Sequence, residues 1–177
     1  MWKKNSAVII VDFQKEWEDE DSQFYLGRTS IAKKKCSTLV HEGIKQGSPV
    51  IYTKRVVDDM GESFSDTEEG SDLVEKLPKK EGIKVFERPS WNPFLDTDLD
   101  NFLFDRGIDH VYVGGLSINA GVRETVAQAY NRGYSVTLVK DCCSAESSEE
   151  LQFTSEDIQK YRFITVFTLK NIISRSL

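Results

Sequence analysis

No apolar run in this sequence is long enough for a signal-peptide core or a membrane span: the stretch from Ala7 to Val11 ends at Asp12. A cytoplasmic chain with no membrane partner is the expectation. Basic residues are not in excess either. Lys and Arg number 23 against 29 Asp and Glu, and the one basic cluster, Lys33-Lys34-Lys35, lies in a helix-like segment, so no nucleic-acid partner is expected. Cysteine is scarce, and two of the three, Cys142 and Cys143, are adjacent. That pattern gives neither a disulfide framework nor paired metal ligands, and reduced thiols are the simplest state. No glycine-rich or Ser/Thr-rich phosphate loop follows the first apolar run, where Asp12-Phe-Gln-Lys-Glu-Trp17 stands. Its absence speaks against a flavodoxin-like nucleotide binder. Repeats and low-complexity tracts are missing as well.

What is present is an alternation of short β-rich runs with amphipathic segments. At 177 residues and 39% hydrophobic content, the chain is long enough to bury a sizeable core, and one domain over residues 1–177 is expected. The strand candidates are Ala7–Val11, Pro49–Thr53, Ile83–Phe86, His110–Val113, Ser135–Val139 and Phe163–Phe167. Helices are expected over Ser30–Gln46, Ser71–Leu77, Thr97–Arg106, Ala120–Arg132 and about Ser148–Tyr161, several of them followed by a capping glycine. Six βα-type units with right-handed crossovers predict an α/β fold: a three-layer αβα sandwich around a doubly wound six-stranded parallel sheet. The polar stretch from Val57 to Gly70 reads as a surface loop able to cover a pocket.

In such a sheet, ligands bind beyond the carboxyl ends of the strands, at the switch point. Asp12 follows the first strand, Arg88 the third, and Gly121 lies in the turn after Val111-Tyr-Val-Gly-Gly115. That turn runs from a strand into a segment with Val122, Val126 and Ala129 at helical spacing, and it aims backbone N–H groups above the sheet. Trp17 and Trp91 flank the Asp12 and Arg88 turns, either as the aromatic wall of a substrate pocket or as packing under a loop. Gln14 either orients a ligand or bonds within its loop, and Asn119 reads as a capping residue. Cys142 and Cys143 are either buried structural thiols or a displaced nucleophile. His41 and His110, on a helix and at a strand start, read as structural.

Asp12-Phe-Gln14, the Arg88 region with its Pro89-Ser-Trp-Asn-Pro-Phe94 run, and Gly115-Leu-Ser-Ile-Asn-Ala-Gly121 together resemble, in order and spacing over nearly the whole chain, the isochorismatase-like hydrolases. These include nicotinamidases and N-carbamoylsarcosine amidases. The resemblance implies a catalytic Asp, Lys and Cys, at positions held here by Asp12, Arg88 and Gly121. It further implies a cis peptide joining Leu116 and Ser117, with the N–H groups of Ser117 and Gly121 as oxyanion donors. Glycine has no side chain with which to attack a carbonyl, so thiol-based amide hydrolysis is not expected. The metal site of nicotinamidases has no counterpart in Lys54-Arg-Val-Val-Asp-Asp59, so neither metal nor cofactor is expected. One branch of the family, the isochorismatases of siderophore and phenazine pathways, carries glycine at the turn and hydrolyses a vinyl ether with an aspartic acid as proton donor.

The resemblance therefore implies a small-molecule substrate and association into homo-oligomers, and Gln14, Trp17, Trp91 and Ser117 are the candidate substrate-binding residues beside the catalytic positions. Two readings of the function follow. One is a cysteine-free hydrolase in which Asp12 is the general acid and Arg88 clamps a substrate carboxylate. The other is a non-catalytic homologue in which an Asp12–Arg88 ion pair fills the site.

Overall fold

The six apolar runs form one sheet. The computed structural model describes residues 2–56, 72–74, 77–162 and 164–173. Its strands are β1 (Ser6–Val11), β2 (Val50–Arg55), β3 (Lys84–Arg88), β4 (His110–Gly115), β5 (Ser135–Cys143) and β6 (Thr165–Phe167), in the order β3-β2-β1-β4-β5-β6, all parallel. The order reverses between β1 and β4, which is the switch point. Every residue of β1 and β4 is buried, as continuous β-branched runs covered on both faces require.

Side chains alternate between two cores. Ala7, Ile9 and Val11, with Val111 and Val113 of β4, share a core with Leu99 and Leu103 of helix α2 (Leu99–Phe104), Val126 of α3 (Arg123–Asn131) and Ile158 of α4 (Ser148–Arg162). Val8 and Ile10 face Cys36, Leu39 and Val40 of α1 (Thr29–Lys45) and Ile172 of α5 (Leu169–Ile173). Burying each such aliphatic side chain contributes about 1.5–3 kcal/mol. Helix α1 lies so close to the sheet that a Cβ on Gly43 would stand 2.7 Å from Val8 Cγ2. The three-layer doubly wound architecture expected from the sequence is the one observed. Among the described residues, no helix is long and apolar enough to cross a membrane.

Some elements differ from expectation. Residues 72–74 and 77 are not helical, and Leu73 instead forms an antiparallel bridge with Gln14. The apolar residues Leu73, Val74 and Leu77 that suggested a helix face are held by the loop after β1, where Val74 N–H donates to Phe13 O and Lys15 N–H to Asp72 O. The rest of that segment and the stretch from Val57 to Gly70 lie outside the described residues. Strand β3 runs two residues further than its apolar core, so Arg88 is its last member rather than a residue beyond it, in register with Arg55. A 3₁₀ turn at Lys15–Glu18 and helix α5 were not signalled by periodicity, since neither is long enough to show one.

His110 starts β4 in the buried layer. Its Nε2 lies 3.0 Å from Thr137 Oγ1, and its ring meets Tyr112 edge-on with centroids 4.7 Å apart. Burial, with some help from Lys3 and against Asp109, pushes the imidazole down to about 4. The fold therefore holds the neutral ring. Its contribution is fully present above the unfolded value near 6.5 and is lost as pH falls through the folded value. Denaturant unfolding at pH 7 and pH 5 should show the wild type losing about 2 kcal/mol more than His110→Gln; equal losses would place the acid sensitivity elsewhere.

Candidate active site

Three strand ends and one turn converge at the switch point. Asp12 closes β1 with a φ of 48°, a left-handed conformation that aspartate tolerates better than most residues. Its N–H donates to Thr53 O at 3.1 Å, and its carbonyl accepts from Gln14 N–H at 2.8 Å. That bend turns the carboxylate inward, where Oδ1 accepts from the Thr53 hydroxyl at 2.8 Å and Oδ2 from Arg88 Nη2 at 2.7 Å. Asp12 is wholly shielded from solvent and Arg88 is 1% exposed. The structure thus brings together Asp12 and Arg88, as the sequence implied. Thr53 was missed: it ends the expected second strand, and its place opposite Val11 emerges only from the β1–β2 register.

Gly121 sits directly over this pair. A Cβ built on it would lie 2.6 Å from Asp12 Oδ2, 3.0 Å from Val11 Cγ1 and 3.5 Å from Arg88 Nη2. The backbone that brings it there includes a cis peptide between Leu116 and Ser117, followed by a single π-type turn over Ile118–Val122 in which Ala120 is non-helical. Gly115, with φ of 134°, makes the close approach possible: a Cβ there would lie 2.1 Å from Val11 O, which accepts from Leu116 N–H at 2.8 Å. The Ser117 carbonyl accepts from Ala120 and Val122, Ile118 N–H donates to Ser144 O, and Thr125 Oγ1 donates to Gly121 O at 2.6 Å. Asn119, read as a cap, instead donates to Glu150 and accepts from Thr154 at 2.5 Å, so it fastens the turn to α4.

Opposed effects act on Asp12. Burial is the largest and pushes the carboxyl above the usual carboxylate range; the Arg88 charge and hydrogen bond, the Thr53 hydroxyl and the Arg55 charge pull it back. Arg88 itself is incompletely satisfied. Among the described residues its Nε and Nη1, both buried, have no acceptor, and an unmet buried donor costs about 1–3 kcal/mol.

The remaining sequence candidates surround the pair. The Gln14 amide donates to Arg55 O and its Oε1 accepts from Arg55 N–H, both at 2.8 Å, tying the loop after β1 to β2. Trp17 is buried in the α1-side core with its ring 5.9 Å from Phe24 and 6.4 Å from Trp91. Trp91 is half-buried and carries the Arg55 guanidinium 4.0 Å above its ring, while Arg55 Nε donates to Pro89 O. Ser117 is buried in the turn. Cys142 and Cys143 end β5, the latter opposite Gly115. Burial pushes both thiols well up, which leaves them protonated and poorly nucleophilic. Among the described residues, no group of three His, Cys, Asp or Glu side chains is placed to hold a metal ion.

The fold has counterparts. An isochorismatase domain model matches residues 6–171. The uncharacterized isochorismatase family protein YaaI of Bacillus subtilis is 27% identical over 190 residues, covering 99% of this chain and all of that protein. Over a shorter stretch of 68 residues, 38% of this chain and 36% of the relative, the Escherichia coli family protein YecD is 38% identical. Among solved structures, an isochorismatase family protein of Desulfovibrio vulgaris superposes with a TM-score of 0.88 at 20% identity, over 98% of this chain and 99% of that one. The N-carbamoylsarcosine amidase of Thermoplasma acidophilum gives 0.80 at 23% identity over 93% and 96% of the two chains.

The contact between Gly121 and Asp12 leaves no room for a side chain at the turn. Gly121→Ala is expected to lower stability by about 1–3 kcal/mol, the range for overpacking a filled site, despite the entropy that alanine gains over glycine. Chemical denaturation measures this; a variant as stable as the parent would show that Asp12 is free to swing away.

Proposed function

The chain belongs to the isochorismatase family, and from that premise we propose that it is a hydrolase of the cysteine-free type, acting on a small carboxylated or vinyl-ether-like metabolite. One observation carries the reading: the turn position is closed to any nucleophilic side chain, and the group pressed against it is a carboxyl whose burial favours its protonated form. Chemistry at such a site is proton transfer. Protonation of a vinyl-ether carbon by Asp12 generates an oxocarbenium ion. Water then adds, its proton returning to the Asp12 carboxylate, and the neutral hemiketal collapses to a ketone and an alcohol. Arg88 supplies donors for a substrate carboxylate, and the Ser117 and Gly121 amides lie at the turn as donors that orient a substrate oxygen. Trp91 and Trp17 form the aromatic side of the site.

Incubation with isochorismate in D₂O is the direct test. Pyruvate carrying one deuterium in its methyl group is expected, while nicotinamide should remain intact. Asp12→Asn should reduce turnover by about a hundredfold or more; undiminished turnover in that variant removes the acid role.

The same ion pair favours a second reading, a non-catalytic homologue that retains the pocket for a ligand or the fold as an oligomeric scaffold. If the pair serves packing alone, apolar replacement of both partners is tolerated. Arg88→Met by itself should cost about 3–5 kcal/mol, and adding Asp12→Leu should recover most of that loss. Recovered stability with unchanged biological activity would favour the inert centre; recovered stability with lost activity would favour the hydrolase.

A further inference from the structure

Building on the cysteine-free reading above, we infer that Arg88 is the socket for a ligand carboxylate and that this anion enters together with one proton, taken up by Asp12. The guanidinium is a planar fork with two edges able to grip a carboxylate by parallel bonds, and Nη2 belongs to both edges. Nε completes one edge and Nη1 the other. In this structure Asp12 Oδ2 holds Nη2 at 2.7 Å, while Nε and Nη1 are the two nitrogens left buried without acceptors. The arrangement is half of a grip on each side. A ligand carboxylate that satisfies either orphan donor with two bonds must share or take Nη2 from Asp12.

Charge counting makes the exchange proton-coupled. Among the described residues, Arg88 is the one cation in contact with Asp12, and both are shut off from water. The other groups facing Asp12 are the Thr53 hydroxyl on β2, the uncharged Gly121 of the turn and, at longer range, Arg55, whose guanidinium lies over Trp91. Two carboxylates sharing one buried guanidinium leave an uncompensated negative charge in a medium that penalises it heavily. Protonating Asp12 removes that charge. Arg88 is the strongest influence holding Asp12 ionised, and once the ligand occupies it, burial is left to act with less opposition. The incoming carboxylate therefore loads the general acid: the site becomes a proton donor only when an anionic substrate is in place.

Titration calorimetry of the full chain with sodium formate and sodium benzoate, in two amine buffers of different ionisation heat, reads the coupling directly. Uptake of about one proton per bound anion is expected, with affinity falling up to tenfold for each pH unit above neutrality. Asp12→Asn, which imitates the neutral acid, should bind the same anions without proton uptake, independently of pH, and at least tenfold more tightly at pH 8. Binding without proton uptake in the wild type overturns the inference, as does the absence of any binding heat for both anions. Proton-coupled binding with no turnover of isochorismate would sustain the coupling while removing the hydrolase reading. Asp12-dependent turnover without proton uptake would do the reverse.

Discussion

The buried bond between Asp12 and Arg88 is the constraint around which the carboxyl end of the sheet is arranged. It joins the end of β1 to the end of β3 across the intervening β2, and Thr53 supports it from that middle strand. Strand β3 is an edge strand with Lys84, Val85 and Glu87 exposed; Arg88 is its one buried residue. Removing two charges from water costs several kcal/mol per ion, and a single direct bond plus one hydroxyl is a modest return for a carboxylate and a guanidinium. A core built for stability alone would place apolar side chains here. The pair is better understood as a site that keeps its groups poised, at a cost met by the two hydrophobic cores on either side of the sheet.

The turn after β4 depends on the same pair. Gly115 lets the chain pass within contact of Val11, the cis peptide and π-type turn redirect it, and Gly121 arrives against Asp12 Oδ2 with no side chain to spare. Bonds from Asn119 to Glu150 and Thr154, and from Arg123 to Asp157, hold the turn from the α4 side. Position of the turn is thus set by packing from both directions, and the backbone amides it carries are fixed relative to the carboxyl below. Preorganisation of this kind is what electrostatic stabilisation of a reacting group requires.

Much of this was legible in the sequence, for identifiable reasons. Strands buried on both faces leave uninterrupted β-branched runs, so Ala7–Val11 and the run from His110 were unmistakable, and their spacing dictated crossovers. Asp12, Arg88 and Gly121 could be placed at one end of the sheet because strand ends share a side. Contacts between side chains of different elements were not legible. Thr53 looked like any strand residue, and Asn119 like any turn former. Gln14 and Trp17 are held by Arg55 and by Phe24, partners from elsewhere in the chain that local pattern does not reveal. The segment around Leu73 failed as a helix because its apolar residues are used by a bridge to Gln14, a tertiary bond that overrides a short periodic signal.

The resemblance implies Cys and Lys where Gly121 and Arg88 stand, and in the structure these two positions meet at Asp12. A β-carbon at position 121 would meet Asp12 Oδ2 at 2.6 Å and stand 3.5 Å from Arg88 Nη2, so the space a cysteine would need is occupied by the carboxylate in the position where the guanidinium holds it. A lysine at position 88 would present a compact ammonium with three rotatable donors, all able to converge on Asp12. Arginine instead directs one nitrogen at Asp12 and keeps the flanking donors apart by the rigidity of its plane, which is why Nε and Nη1 remain unmet. Glycine makes the room that this larger, planar cation and its partner require, and the planar cation in turn leaves two donors open to a further acceptor. On the proposed reading, Gly121 and Arg88 therefore act together, at a site that recognises negative charge.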